Sequence, residues 1–310
     1  MKSTLTEINK CAQSDPLGLI LRAERHYNNE IAEVARRIAD NDDIKIVALA
    51  GPSASGKTTT AHILCDRLKE LDEKTEVISL DDFYLPTDKL PVLSDGTRDL
   101  ESVNALDTAL LDACFYDIVK NGRALLPVFD FKEKKRILNA REIDISGRGI
   151  AIIEGLHALN PIITSRVPRE NLFKAYISVN RTVDGEDGAQ LLSSRQIRLV
   201  RRTLRDRIFR SSGVNDTLKL WGGVVEGEKK YLYCFKGEAD VLIKTLHIYE
   251  PCLYKNDFTS LVNEVDRESR WYDYFLKTAE ALKKFQGIDA SLVPENSLIR
   301  EFIGNGRYNT

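Results

Sequence analysis

Short apolar runs of strand length recur along the chain. Residues 44–50 read IKIVALA, a β-branched run too short for a core helix and suited to a strand buried on both faces. TEVISL (75–80), GIAIIEG (149–155), FKAYISV (173–179) and ADVLIKT (239–245) repeat the type. Between several of them the apolar positions fall at helical spacing, notably over 57–71 and 105–120. Residues 19–40 predict another helix, with Leu19, Ile31, Val34, Ala35 and Ile38 as its stripe and Asn41-Asp42-Asp43 as its breaker. Strands alternating with helices predict an α/β fold, a mainly parallel five-stranded sheet between two helical layers. Two polar loops, 86–102 and 181–194, interrupt the pattern. Ligands collect outside the carboxyl ends of such strands, so the loops that follow strands are where chemistry is expected.

From about residue 256 the pattern turns helical, NDFTSLVNEV and then ESRWYDYFLKTAEALKKF, with Gly287 as a C-cap. The predicted organisation is an N-terminal helical extension (1–43), a core (44–255) and a C-terminal helical extension (256–310) that is an appendage of the same core. Trp271, Tyr272, Tyr274 and Phe275 could form a homo-oligomeric contact or pack onto that core. A length of 310 residues is enough for one large domain or two modest ones. Lys and Arg number 45 against 47 Asp and Glu, so no basic field favours nucleic acid. Five cysteines without CxxC spacing argue against a zinc site or a disulfide framework, and fit a reducing compartment. The N-terminus lacks the apolar run of a signal peptide, and no stretch is apolar enough for a membrane span. A cytoplasmic location is therefore expected, with no membrane partner.

The strongest chemical signal is GPSASGKT at 51–58, which satisfies G-x-x-x-x-G-K-[ST] between a predicted strand and a predicted helix. Gly51 and Gly56 are expected to adopt backbone angles other residues avoid, so that the amides of Ser53, Ala54, Ser55 and Gly56 cradle phosphate oxygens. The helix that follows, starting with Lys57, Thr58 and Thr59, adds its N-terminal partial charge. Lys57 would bridge the outer phosphates and Thr58 would place its hydroxyl on Mg²⁺.

A nucleoside triphosphate site also needs carboxylates near the metal and near the attacking hydroxyl. The second strand runs into Ser79-Leu80-Asp81-Asp82-Phe83-Tyr84 and the third into Glu154-Gly155. Asp81 is read as the base for the acceptor hydroxyl, with a water-mediated contact to Mg²⁺ also open to it. Glu154 is read as a carboxylate near metal-bound water. Asp82 points away from Asp81 if strand alternation persists.

Residues 195–210, RQIRLVRRTLRDRIFR, place Arg198, Arg201 or Arg202, and Arg205 along one helix face, while Leu199, Leu204 and Ile208 can anchor it. Arginine forks neutralise charge on a transferring phosphoryl group, so the segment 195–212 is read as a phosphate-facing lid. His26, His62, His157 and His247 show no metal spacing; His157, just after Glu154-Gly155, is either an acceptor-pocket residue or an ordinary loop histidine.

Together GPSASGKTTTA, SLDDFY, LESVNALD, LPVFDF, IIEGLHALN and RLVRRTLRD resemble, in order, the motifs of the uridine kinase and phosphoribulokinase family, over roughly 44–255. The likeness is to the uridine kinase-like branch that often carries a TGS domain, with LWGGVVEGEKKYLYCFKGEADVLI and NSLIREFIG as further matches. The 43 residues before the first strand are too short for that domain. The resemblance implies a P-loop NTPase three-layer sandwich using ATP and Mg²⁺. It makes Asp81 the catalytic base beside Tyr84 of the same motif, and Glu101 a holder of sugar hydroxyls. It gives Arg202 a sugar contact and puts Arg205 and Arg210 over ATP. It makes Phe129 and Phe131 a sandwich for the nucleobase, unless they are core residues of a strand.

Phe129 and Lys134 replace the tyrosine and histidine that read the pyrimidine edge in such kinases, and Arg210-Ser211-Ser212 replaces the lid's R-G-R ending. The reading is an ATP-dependent small-molecule kinase, with the 5′-hydroxyl of a pyrimidine nucleoside as the first-choice acceptor. The alternatives are a non-nucleoside alcohol such as a sugar phosphate or polyol, which Lys134, Lys135 and Arg136 would suit, and a nucleotide-binding regulatory module.

Overall fold

The computed structural model describes residues 4–308 apart from 94–95, 131–132, 134, 181–182 and 186–187. Phe131 and Lys134 lie outside the described residues. The elements run α1 (Leu5–Ser14), α2 (Pro16–Ala39), β1 (Ile46–Ala50), α3 (Lys57–Lys69), β2 (Lys74–Ser79), α4 (Thr108–Asn121), β3 (Arg123–Asp130) and β4 (Lys135–Asp144). There follow β5 (Gly149–Glu154), α5 (Pro161–Thr164), β6 (Leu172–Ser178), β7 (Val183–Asp184), β8 (Gln190–Leu192) and α6 (Ser194–Phe209). The chain closes with α7 (Val214–Tyr231), β9 (Val241–Lys244), α8 (Glu250–Ser260), α9 (Tyr272–Lys283) and α10 (Arg300–Ile303).

The five apolar runs form one parallel sheet in the order β2-β5-β1-β6-β9. Every residue of β1 is buried because both faces are covered. Strand alternation divides them: Val47 and Leu49 join one core, and Ile46, Ala48 and Ala50 join the other. The first core takes in α1, α2, α3, α6, α7, α8, α9 and the C-terminal turn; the second takes in α4, β3 and β4. This is a three-layer sandwich. The strands on either side of β1 leave it in opposite chain directions, β5 towards β2 and β6 towards β9, which opens a crevice at its carboxyl end.

Three differences from the sequence reading have physical causes. The β3–β4 hairpin is antiparallel, bulged near Leu126 and Val128, and separate from the main sheet. Its β4 is mostly exposed and polar, so hydropathy conceals it. The helix expected at NDFTSLVNEV begins earlier, at Glu250, where Pro251 sits in a first turn that needs no N–H from it. α9 ends with the αR residue Lys284, so Gly287 caps nothing.

The C-terminal aromatics pack inward. Phe258 and Phe275 stack at 4.2 Å within the first core, and Trp271, Tyr272 and Tyr274 lie half-buried against it. Among the described residues no helix is long and apolar enough to cross a membrane.

Candidate active site

β1 ends at Ala50 and the chain turns at once into the loop 51–56. Gly56 takes φ +86° and starts α3 as its N-cap; Ala54 also adopts a left-handed angle, φ 55°. Gly51 has an ordinary φ, so its requirement is steric. A Cβ there would lie 2.8 Å from both Cβ and the carbonyl oxygen of Ile177 on β6. Lys57 reaches back along the loop, its Nζ donating to the Pro52 carbonyl at 3.2 Å.

The loop is held from behind by buried charge. The Ser53 N–H donates to Glu228 Oε1 at 2.8 Å, and Glu228 on α7 is fully buried. Arg198 holds the same carboxylate with both Nη atoms, at 2.5 and 2.8 Å, and also donates to the Ser53 carbonyl. Arg201 pairs with Glu250 through Nε and Nη2, at 2.7 and 2.6 Å, and reaches the Ala54 carbonyl. The Thr245 hydroxyl donates to the Ser55 carbonyl at 2.7 Å.

Two of the arginines assigned to a phosphate-facing lid are therefore buttresses of the loop. The helix that carries them is part of the core, with Ile197, Leu199, Val200 and Leu204 buried. Only the next turns face the crevice. Arg202 donates to the Ser53 hydroxyl at 2.7 Å, and Arg202, Arg205 and Arg210 gather around Asp206 at 3.3, 2.9 and 3.7 Å. Burial lowers the Arg202 and Arg210 pKa values, partly offset for each by Asp206. Three cations gather on Asp206, with Glu301 farther off at 3.9 Å from Arg205, an arrangement that favours a further anion.

Opposite them, parallel register brings Ser79 level with Glu154 at the strand ends. The Ser79 hydroxyl donates to Glu154 Oε1 at 2.8 Å. Burial, and next the Asp81 charge, push Glu154 up to about 7, while Lys57 acts in the other direction. Asp81 itself is exposed, on the short turn after β2. Asp82 faces elsewhere and accepts the Phe129 N–H at 3.1 Å.

The 99–102 turn also borders the crevice. Glu101 is raised by burial, then lowered by Arg202, with Glu228, Asp81 and Lys57 also acting on it. It lies against Gly227 of α7, where a Cβ would come 2.5 Å from its own. His157 supports this turn, with Nε2 3.0 Å from the Glu101 carbonyl; burial lowers its pKa to about 4, so the ring is neutral near pH 7. The Tyr84 hydroxyl donates to the Leu100 carbonyl at 3.0 Å, and its ring meets Phe129 edge-on at 6.1 Å.

Lys57 and Asp81 thus act on both Glu101 and Glu154, and Arg202 on Glu101, around a single crevice. A cleft of about 340 Å³ lined by Arg37, Ile44, Arg169 and Phe173 lies at the other, amino end of the strands, away from these groups. Sequence reasoning missed Glu228, Glu250, Asp206 and Gly227. Only EGEKK, on a helix with three glycines, hinted at a close-packed acidic face there.

A family model described as Phosphoribulokinase / Uridine kinase family matches residues 46–249. A uridine kinase of Clostridium novyi (strain NT) is 25% identical over 199 residues, covering 64% of this chain and 86% of that protein. A uridine kinase of Lactobacillus johnsonii is 27% identical over 212 residues, covering 65% and 91%. Among solved structures, a candidate fructose transport system kinase from Silicibacter sp. TM1040 aligns with a TM-score of 0.48 at 18% identity, covering 68% of this chain and 98% of that one.

Proposed function

The chain belongs to the phosphoribulokinase / uridine kinase family, and from that premise we propose that it moves the γ-phosphoryl group of ATP to the 5′-hydroxyl of a pyrimidine nucleoside. The observation that carries this reading is that Lys57 and Asp81 lie close enough to both Glu101 and Glu154 to act on their charges, with Arg202 acting on Glu101, beside the phosphate loop. A pure binding module has no need of an exposed carboxylate beside the triphosphate cradle.

Asp81 accepts the proton of the attacking hydroxyl as its oxygen bonds to the γ-phosphorus, and the β–γ bridging oxygen leaves with ADP. Lys57, Arg202, Arg205 and Arg210 supply positive charge, and the loop amides from Ser53 to Gly56, with Thr58 and Thr59 on the first turn of α3, line the phosphates. Glu101 and Arg202 orient the acceptor, with Tyr84, Phe129 and His157 shaping its pocket. Two carboxylates that repel each other, one of them buried, fit a hard divalent cation, which takes one or two carboxylates and fills its shell with phosphate and water. Thr58, Glu154 and Asp81 would hold Mg²⁺, which supplies charge neutralisation when bound. Among the described residues no set of three or more acidic, His or Cys ligands could hold a metal alone.

Arg136 is one of the three cations that would suit an anionic acceptor. It is committed instead to Asp107 at 2.9 Å, which weakens the sugar-phosphate alternative. ADP release measured over a panel of uridine, cytidine, ribulose 5-phosphate and simple polyols tests the assignment. Turnover with uridine or cytidine is expected; turnover confined to a sugar phosphate or polyol would replace the acceptor, and MgATP binding without turnover on any alcohol would favour a regulatory module.

A further inference from the structure

The C-terminal segment 297–308 lies along α3 and reaches the phosphate loop. Leu298 is fully buried against Gly56, where a Cβ would come 2.7 Å from Leu298 Cδ1. Phe302, also fully buried, lies under the Arg201 guanidinium at 4.7 Å. Farther along, the Tyr308 hydroxyl donates to Asp66 at 2.8 Å. Between these anchors the Glu301 carboxylate is 6% exposed. Its Oε2 accepts the Thr59 hydroxyl at 2.7 Å and its Oε1 lies 3.9 Å from Arg205 Nη1. Its charge also acts on Arg210 and on Glu154, from opposite sides of the crevice.

We propose that Glu301 is a second internal counter-anion of the nucleotide site: beside Asp206, which accepts the hydrogen bonds of Arg205, Glu301 accepts the Thr59 hydroxyl and lies 3.9 Å from Arg205, and a bound polyphosphate competes with its charge for both groups. This rests on the nucleotide reading above. A buried carboxylate at the first turn of α3 is stabilised by the helix N-terminus and the nearby guanidinium, the two features that attract phosphate. One site for negative charge is thereby shared between a side chain of the protein and its ligand. Glu301 sets the affinity for the nucleotide by its charge, and Leu298 and Phe302 keep that charge in place.

The test is equilibrium binding of MgATP and MgADP to the full chain and to E301Q, which keeps an acceptor for Thr59 and removes only the charge. E301Q is expected to bind MgATP about tenfold more tightly, equivalent to ~1.4 kcal/mol, with a smaller gain for MgADP and a shrinking gain as salt rises. A merely structural role would lower Tm without that charge-graded gain. Equal or weaker MgATP binding by E301Q overturns the proposal. Failure of the unmodified chain to bind MgATP overturns the nucleotide reading itself, and this with it. If E301Q does not fold, hydrogen exchange on the unmodified chain decides. Amides of residues 298–303 are expected to exchange faster when MgATP saturates, and unchanged or slower exchange overturns the proposal.

Discussion

Ser53 and Glu228 are joined by a hydrogen bond of 2.8 Å, the backbone amide of the phosphate loop donating to a fully buried carboxylate. Arg198 neutralises that carboxylate through two bonds, so one ion pair is both a core element and a loop support. Glu228→Gln leaves the Arg198 charge buried without its counter-charge. Breaking such a pair costs about 3–5 kcal/mol. Thermal unfolding is expected to show a Tm lower by on the order of 10 °C for a chain of this size, with weaker MgATP binding. An unchanged Tm would show that the pair supports nothing.

The two loop glycines should fail in different ways. Gly51→Ala collides with backbone and side chain of Ile177, so the loop must shift away from β6. Gly56→Ala faces a φ of +86°, which costs about 1–2 kcal/mol for a residue with a Cβ, as well as contact with the buried Leu298 side chain. Both are expected to weaken MgATP binding by more than about tenfold, given how closely positioning controls such sites. Only Gly56→Ala is expected to regain affinity when Leu298→Ala is added. Titration calorimetry on the two single variants and on each combined with Leu298→Ala checks this, and equal recovery of Gly51→Ala by the same change would refute it.

Asp81→Asn removes a proton acceptor from an exposed turn with little core to disturb. Turnover is expected to fall by about 10²–10⁴, the usual contribution of a general base, a far larger loss than that in MgATP binding, where Asp81 contributes only through Mg²⁺. Steady-state ADP release with parallel binding measurements decides it. Near-normal turnover would remove Asp81 from the base role.

Glu154 gives the metal-free protein a pH dependence of defined sign. Its folded pKa, about 7, stands above its ordinary 4.5, so the folded state holds a proton that the unfolded chain releases. That stability is fully present below pH 4.5 and is lost as pH rises through about 7. Denaturant unfolding at pH 5 and pH 8 should show the decline, and Glu154→Gln should remove this component. Mg²⁺ binding, which needs the ionised carboxylate, is expected to tighten over the same window. A pH-independent Mg²⁺ affinity would separate Glu154 from the metal.

Much of the site was legible before any coordinates. GPSASGKT announces its own backbone, because glycines, a lysine and a hydroxyl at that spacing after a strand leave few other conformations. Asp81 and Glu154 could be placed together because both end apolar runs, and a parallel sheet delivers strand ends to one edge. The arginine segment was legible only as a helix. Arg198 and Arg201 differ from Arg202 and Arg205 not in local pattern but in what lies opposite them: Glu228, Glu250 and the loop carbonyls on one side, the open crevice on the other. The β3–β4 hairpin escaped notice because most of β4 is exposed and carries no buried stripe.

The linear order of residues determined the class of fold, the five strands of the main sheet and the backbone of the phosphate loop, since all three are written in local periodicity and short motifs. Tertiary structure alone decided which acids anchor which arginines and brought Glu301 of the last helix to Thr59 of the first turn after the loop, 242 positions away. Local pattern cannot choose among 47 acidic residues. Burial can, because a guanidinium taken out of water must meet a carboxylate or carbonyl oxygen wherever the packed helices leave it.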